Sequence, residues 1–285
     1  MPGFCGTARA KPLEVFVGIP PQAYLVERIG GEHVVVHVLM QSGQDPHTFE
    51  ATPRQIMALR GAELFLTVGM PLESRLAEKI RGSGARLTVV DTARGIPRQA
   101  MAAAGEHDHG DDHGHDHHHD VGEADPHVWL APPLAKTLAT NVADALCRAD
   151  PAHADDYRRR LATLKQDLDA VHAEIDRILR PYRGRPFYVF HPAFGYFGAT
   201  YGLKQESVES GGKLPAPRQL RALIKQAKAE QVKILFVQPQ FDQRTAAVVA
   251  ELIGGAVVPI DPLAKDLLDN FHEIAAKIEG TLSPR

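Results

Sequence analysis

Apolar residues along this chain fall into short runs separated by segments with helical spacing. The runs of the first half, read as strands, are LEVFVGI (13–19), HVVVHVL (33–39), LFLTV (64–68) and LTVV (87–90). Those of the second half are FYVF (187–190), QESV (205–208), ILFV (234–237) and AVVPI (256–260). Helical patterns lie between them, and Thr52-Pro53 combines a capping hydroxyl with a first-turn proline. The alternation predicts an α/β fold with mainly parallel sheets.

One long amphipathic helix is predicted between the halves, from about Ala152 to Leu179. Its apolar residues follow a 4-3-4-3 spacing and are Tyr157, Leu161, Leu164, Leu168, Val171, Ile175 and Ile178. At a rise of 1.5 Å per residue such a helix spans roughly 40 Å, which is longer than one lobe is wide. We therefore expect it to pack on both halves and to hold them at a fixed angle, although a coiled-coil partner helix would show the same stripe.

The length of 285 residues suits two lobes. We predict an N-terminal α/β lobe at 12–150, a rigid linking helix at 151–181 and a C-terminal α/β lobe at 182–285. A weak internal similarity supports this division, because PRQIMAL…AELFLTV near residue 53 resembles PRQLRAL…KILFVQP near residue 217. In both copies a helix that begins at proline leads into a buried strand, which favours two similar lobes joined by one long helix.

Charge and composition exclude several classes of protein. The net charge is −3 with both signs interspersed, and no basic stripe indicates a nucleic-acid surface. The longest apolar runs are of strand length, so no transmembrane helix is predicted. The start, MPGFCGTARAKP, lacks the apolar segment of a signal peptide, so the chain is either cytosolic or has lost a leader. With only Cys5 and Cys147 present, a cysteine-rich zinc site is excluded, and the disulfide state of this pair stays open.

The segment 105–120, GEHDHGDDHGHDHHHD, has seven histidines and six carboxylates but no apolar residue. A segment of this kind cannot bury a core, and we expect a surface loop that collects metal ions weakly. The candidate low-affinity ligands are His107, His109, His113, His115, His117, His118 and His119.

Outside this loop, four ligand-type residues each adjoin a proline near the predicted end of a strand or the start of a segment. They are His47, His127, His191 and Asp261. Ligands of open α/β sheets bind beyond the carboxyl ends of strands, and each half of the chain supplies two of these residues. If the lobes face each other, three imidazoles and one carboxylate converge in one cleft, a set that suits tetrahedral Zn²⁺ better than Mn²⁺.

Five segments in this order carry a resemblance to a known family: QDPHTFEATP, DPHVWLAP, FHPAFGYF, VQPQFDQ and IDPL. Together they resemble the metal-binding solute-binding proteins of ABC importers, most closely the zinc-uptake (ZnuA/TroA-like) group. The resemblance extends from about Leu13 to the C-terminus. The long helix and the His/Asp-rich loop before the second DPH also fit that group.

The resemblance implies a periplasmic, monomeric protein that captures Zn²⁺ as a transported ligand and delivers it to a membrane permease, without catalysing a reaction. A periplasmic zinc chaperone is a candidate loading partner. At matching positions the resemblance implies that His47, His127 and His191 are ligands and that Asp261 completes the site, although water or another acid does so in some members. Manganese members tend to have Glu in place of His191.

The chain departs from its relatives at two places. QPQF at 238–241 replaces EPQF, and LPAP at 214–217 replaces EPSP. We expect neither change to touch a ligand, while both can alter the cleft or the transporter contact.

Two other functions stay open at this point. A zinc-dependent hydrolase would need a general base, and only Glu50 and Glu209 come into consideration because no HExxH helix is present. A metal buffer would act through the His-rich loop alone.

Overall fold

The computed structural model describes residues 11–41, 43–45, 48–80, 86–101, 124–209 and 213–283. Each predicted strand is present, with bounds within two residues of those expected. The strands of the first lobe are β1 (Leu13–Val17), β2 (Val34–Val38), β3 (Leu64–Thr67) and β4 (Thr88–Asp91). Those of the second lobe are β5 (Pro186–Val189), β6 (Lys204–Ser207), β7 (Ile234–Val237) and β8 (Ala256–Pro259).

The two sheets have the same topology. Their strand orders are β2-β1-β3-β4 and β6-β5-β7-β8, and all pairings are parallel. The prediction of two similar lobes with parallel sheets is therefore confirmed. The weak internal similarity also falls at equivalent places, because its two copies end in β3 and β7, the third strand of each sheet. The residue boundaries assigned to the domains stay a prediction.

Helices connect and cover the strands. Those of the first lobe are α1 (Pro20–Gly30), α2 (Pro53–Arg60), α3 (Pro71–Ile80) and α4 (Pro132–Ala149). The second lobe contains α6 (Gly195–Tyr201), α7 (Pro217–Ala229), α8 (Gln243–Ile253) and α9 (Leu267–Leu282). The predicted start of α2 is confirmed, because Thr52 Oγ1 accepts the Gln55 N–H and Gln55 Oε1 accepts the Thr52 N–H.

The linking helix α5 covers Ala154–Leu179, as the apolar stripe predicts. Its buried residues are Tyr157, Leu164, Leu168, Val171, Ile175 and Leu179, while Leu161 and Ile178 are partly buried. The stripe packs against α1 and α4 of the first lobe and against α6 and α9 of the second. One helix thus belongs to the hydrophobic core of both lobes.

Polar contacts also join the lobes beside the ends of the strands. Trp129 Nε1 donates to the carbonyl of Pro262 at 2.7 Å, and Tyr196 Oη donates to the carbonyl of Asp125 at 3.1 Å. Lys265 forms an ion pair with Glu27 at 2.8 Å. These contacts fix how the loops of one lobe face those of the other. In the described part of the chain, no helix has both the length and the apolar character required to cross a membrane.

Candidate metal centre

Three candidate ligands lie among the described residues, each just after a strand or just before a helical turn. His191 follows β5 and Asp261 follows β8, so both lie beyond the carboxyl edge of the second sheet. His127 directly precedes the short 3₁₀ turn Val128–Leu130, which leads into α4 of the first lobe. The second lobe thus supplies an imidazole and a carboxylate from strand ends, and the first lobe supplies an imidazole from the turn before α4.

His127 and His191 come from different lobes and meet. Their ring centroids are 5.3 Å apart with an interplanar angle of 73°. The two residues are only 3% and 1% exposed. Histidines at this distance can contribute nitrogens to one ion, and their burial limits their contact with solvent.

A buried carboxylate lies behind each of these histidines. Asp125 Oδ1 is 2.7 Å from His127 Nδ1, and Glu209 Oε1 is 2.5 Å from His191 Nδ1. Since an ionised carboxylate only accepts hydrogen bonds, each Nδ1 carries the hydrogen and Nε2 is the nitrogen for a metal. Carboxylates placed in this way orient ligating histidines and make them more basic.

These two carboxylates were not predicted from the sequence in this role. Asp125 was visible as the first residue of its DPH segment, two positions before His127. Glu209 follows β6, the strand that pairs with β5, so a search for acids at the end of the neighbouring strand would have found it. Its contact with Nδ1 places it on the side of the His191 ring away from Nε2. A general base would have to lie on the Nε2 side, and the other candidate base, Glu50, is exposed.

Burial keeps His191 in the form that binds metal. Removal of its ring from water lowers the pKa of His191 below its ordinary value, and this effect outweighs the opposing hydrogen bond that Nδ1 donates to Glu209. Metal ligation requires neutral imidazole, so the buried ring is already in its ligating state at neutral pH.

Asp261 lies in the same region but stands apart from the histidine pair. Its Oδ1 accepts hydrogen bonds from Gln240 Nε2 at 2.8 Å and from the Leu263 N–H at 2.9 Å. Within the described ranges, no three His, Cys, Asp or Glu side chains are grouped so that they could hold one metal ion. The structure therefore brings together two of the predicted ligands and leaves the third nearby.

The remaining candidate ligands, His47 and the seven histidines of the loop, lie outside the described residues. The chain on either side of that loop is described: Ala100 and Ala124 form an antiparallel bridge, and the Asp125 N–H donates to the carbonyl of Gln99. The described chain on the two sides of this loop is therefore joined directly beside Asp125.

The expectation that the QPQF replacement touches no ligand is wrong. Gln238 is fully buried, and its amide accepts the His191 N–H at 3.1 Å while donating to the His191 carbonyl at 2.7 Å. Phe241 stacks on the His191 ring, with centroids 4.5 Å apart. The reason is topological, because the segment after β7 runs between the ends of the neighbouring strands β5 and β8. The other replacement begins at Leu214, which is exposed.

Comparison with known proteins gives one consistent assignment. The family profile described as zinc-uptake complex component A, periplasmic (ZnuA), matches residues 15–279. The high-affinity zinc uptake system protein ZnuA of Brucella abortus is 29% identical, with 94% of this chain and 89% of that protein aligned. The manganese-binding lipoprotein MntA of Bacillus subtilis is also 29% identical, over 87% and 79% of the two chains.

A solved structure shows the same fold. The zinc-bound crystal structure of a ZnuA mutant that lacks residues 138–173 superimposes with a TM-score of 0.87 and 34% identity, covering 96% of this chain and 100% of that one. A profile match over most of the chain, together with two corresponding parallel-sheet lobes, decides the assignment. The chain belongs to the ZnuA family of solute-binding proteins of ABC importers.

Proposed function

We propose that this protein captures Zn²⁺ with high affinity between its two lobes and delivers it to the membrane permease of an ABC importer. The observation that carries the proposal is the buried His127–His191 pair, with one ring from each lobe and each Nδ1 held by a carboxylate. Such a pair can exist only when the two lobes are assembled, which suits an ion held between them.

The proposed ligands are His47, His127, His191 and Asp261. Three imidazoles and one carboxylate suit the tetrahedral coordination of zinc, whereas manganese favours oxygen ligands. Asp261 approaches the ion through Oδ2 in this proposal, since its Oδ1 holds two hydrogen bonds. A rotation of one side chain or a small shift of a lobe is the kind of closure that α5 permits, because this helix packs on both lobes.

The His/Asp-rich loop acts as an accessory in this proposal. Its stems are joined at Ala100 and Ala124, beside the residues that position His127. Histidines tethered there, from His107 to His119, raise the local zinc concentration at the cleft. We place the protein in the periplasm as a monomer, with a zinc chaperone as a candidate loading partner, because the family profile describes a periplasmic component of an uptake complex.

The ligand set is tested by zinc affinity, measured by chelator competition on metal-free protein. The variants are His47→Ala, His127→Ala, His191→Ala and Asp261→Ala. We expect each histidine variant to bind zinc more than about 100-fold more weakly, because a lost ligand costs more than a lost hydrogen-bond partner of a ligand. The control is His272→Ala, which removes a half-exposed histidine on α9 and should leave the affinity unchanged.

Unchanged affinity in His127→Ala or His191→Ala would refute the proposed site. The zinc-loaded protein should also hydrolyse no ester or peptide substrate, because a site with four protein ligands has no open position for water. Several weak sites, all insensitive to these variants, would instead favour a metal buffer that acts through the loop.

A further inference from the structure

Gln240 controls how the carboxylate of Asp261 is presented. This glutamine lies in the segment after β7, and its Nε2 donates to Asp261 Oδ1 at 2.8 Å. The backbone N–H of Leu263 donates to the same oxygen at 2.9 Å. A carboxylate oxygen has about two lone-pair positions, so two donors occupy Oδ1 fully. Oδ2 is then the oxygen of Asp261 that can approach a metal.

The chemistry of the contact fixes the orientation of the Gln240 amide. Its nitrogen must face Asp261, because the amide oxygen would repel a carboxylate. Gln240 Oε1 is consequently buried and has no hydrogen-bond partner among the described residues. A buried acceptor without a partner is unfavourable for folding and calls for an explanation. The explanation here is that this position requires the Nε2 donor.

The backbone of Asp261 is held separately from its side chain. Asn270 Nδ2 donates to the Asp261 carbonyl at 2.9 Å, and the Lys277 ammonium donates to the carbonyl of Pro259 two residues earlier. With the backbone fixed by α9, rotation of the carboxylate is the remaining freedom of Asp261. Gln240 is the side chain that restrains this rotation.

We propose that Gln240 is a positioning residue for metal specificity, which limits Asp261 to coordination through one oxygen and thereby favours zinc over manganese. The inference rests on the proposed function, because it takes Asp261 as a ligand. Zinc in protein sites is usually four-coordinate, so one oxygen from Asp261 is sufficient. Larger cations that prefer oxygen gain from a carboxylate that binds through both oxygens.

Loss of the Gln240 donor would partly restore coordination through both oxygens of Asp261. Without Gln240, the Leu263 N–H still occupies one position on Oδ1, but the other becomes available to a metal. Manganese should gain from the additional oxygen, whereas zinc should gain little and lose the fixed geometry. The change in selectivity therefore has a predicted direction, which a general loss of folding would not produce.

The experiment compares Gln240→Leu and Gln240→Met with the unsubstituted protein. Gln166→Leu is the matched control, because it makes the same replacement at an exposed position of α5. Zinc and manganese affinities are measured by competition, and circular dichroism verifies folding. We expect the preference for zinc over manganese to fall about 10-fold or more in both Gln240 variants, a change comparable to the loss of other residues that hydrogen-bond to a metal ligand.

Cobalt supplies a second readout that a purely structural role would not change. Four-coordinate Co²⁺ absorbs strongly in the visible range, while five- and six-coordinate Co²⁺ absorb weakly. The cobalt-loaded Gln240 variants should therefore lose visible absorbance relative to the control. In an Asp261→Ala background, Gln240→Leu should alter neither the absorbance nor the selectivity.

The outcomes separate this inference from the function on which it rests. Unchanged selectivity and cobalt absorbance in the Gln240 variants, with weaker zinc binding in Asp261→Ala, would overturn the inference and leave the proposed ligand set intact. Unchanged zinc binding in Asp261→Ala would remove Asp261 from the ligand set and overturn the inference with it.

Discussion

Glu209 should strengthen zinc binding without touching the metal, and Glu209→Gln tests this directly. Glu209 is 4% exposed, and its Oε1 is 2.5 Å from His191 Nδ1. The amide oxygen of glutamine can still accept the Nδ1 hydrogen, so the ring keeps its orientation and only the charge is lost. A metal on Nε2 makes the Nδ1–H more acidic, which strengthens its bond to a carboxylate more than its bond to an amide.

The size of the effect follows from the change in hydrogen-bond type. A hydrogen bond to a charged group contributes about 1.5–3 kcal/mol and a neutral one about 0.5–1.5 kcal/mol. The substitution therefore removes about 1–1.5 kcal/mol, which corresponds to roughly 10-fold weaker zinc binding. Glu209→Leu removes the acceptor as well as the charge, and we expect it to weaken zinc binding about 100-fold.

The assay is chelator competition for zinc, together with thermal unfolding with and without metal. Glu251→Gln is the control, since it removes one negative charge from an exposed position on α8 of the same lobe. Glu209→Gln should keep its Tm without metal, because it removes a buried charge, but zinc should raise that Tm less than in the unsubstituted protein. Zinc affinity within about twofold of the unsubstituted protein in both Glu209 variants would refute the reasoning.

Three further predictions concern stability. Burial raises the pKa of Glu73 from 4.5 to about 7, despite three backbone N–H donors. The protonated Glu73 therefore stabilises the folded state fully below pH 4.5, and this stabilisation is lost as the pH rises through about 7. The free energy of unfolding, measured with urea, should fall by about 3 kcal/mol over this range. Glu73→Gln should flatten the dependence of the unfolding free energy on pH. The same pH dependence in the variant and the unsubstituted protein would show that Glu73 is not its cause. Trp129→Phe leaves the Pro262 carbonyl unpaired between the lobes, so the free energy of unfolding should fall by about 1–3 kcal/mol; no change would mean that this contact is dispensable. Leu168→Ala opens a cavity at a fully buried position of α5 and should lower the free energy of unfolding by about 2–5 kcal/mol in chemical denaturation, whereas a loss below about 1 kcal/mol would show that the core collapses around it.

Much of the fold could be predicted because its signals are local. Buried parallel strands appear as short apolar runs, and the stripe from Tyr157 to Ile178 defines α5 by its spacing alone. The repeated topology was also visible, as two proline-started helices that lead into equivalent strands. Each of these features depends on residues close together in the chain.

The site was less predictable because its partners are distant in sequence. His191 depends on Glu209 from the neighbouring strand end and on Gln238 from the segment after β7. The position of His191 at the end of a strand, and of His127 at the start of the segment after the His-rich loop, suggested that the two residues lie near one another. It could not show which side chain occupies each oxygen of Asp261, because hydrogen bonding across 21 residues is decided by strand order and loop geometry.

The central claim is that zinc is bound tightly in the cleft and only weakly by the His/Asp-rich loop. The most direct measurement is a calorimetric zinc titration of metal-free protein that lacks residues 106–120, with a competing chelator. We predict one tight site per chain that survives the deletion and disappears when His191→Ala is added. Absence of a tight site after the deletion would contradict the account and make the loop itself the binding element.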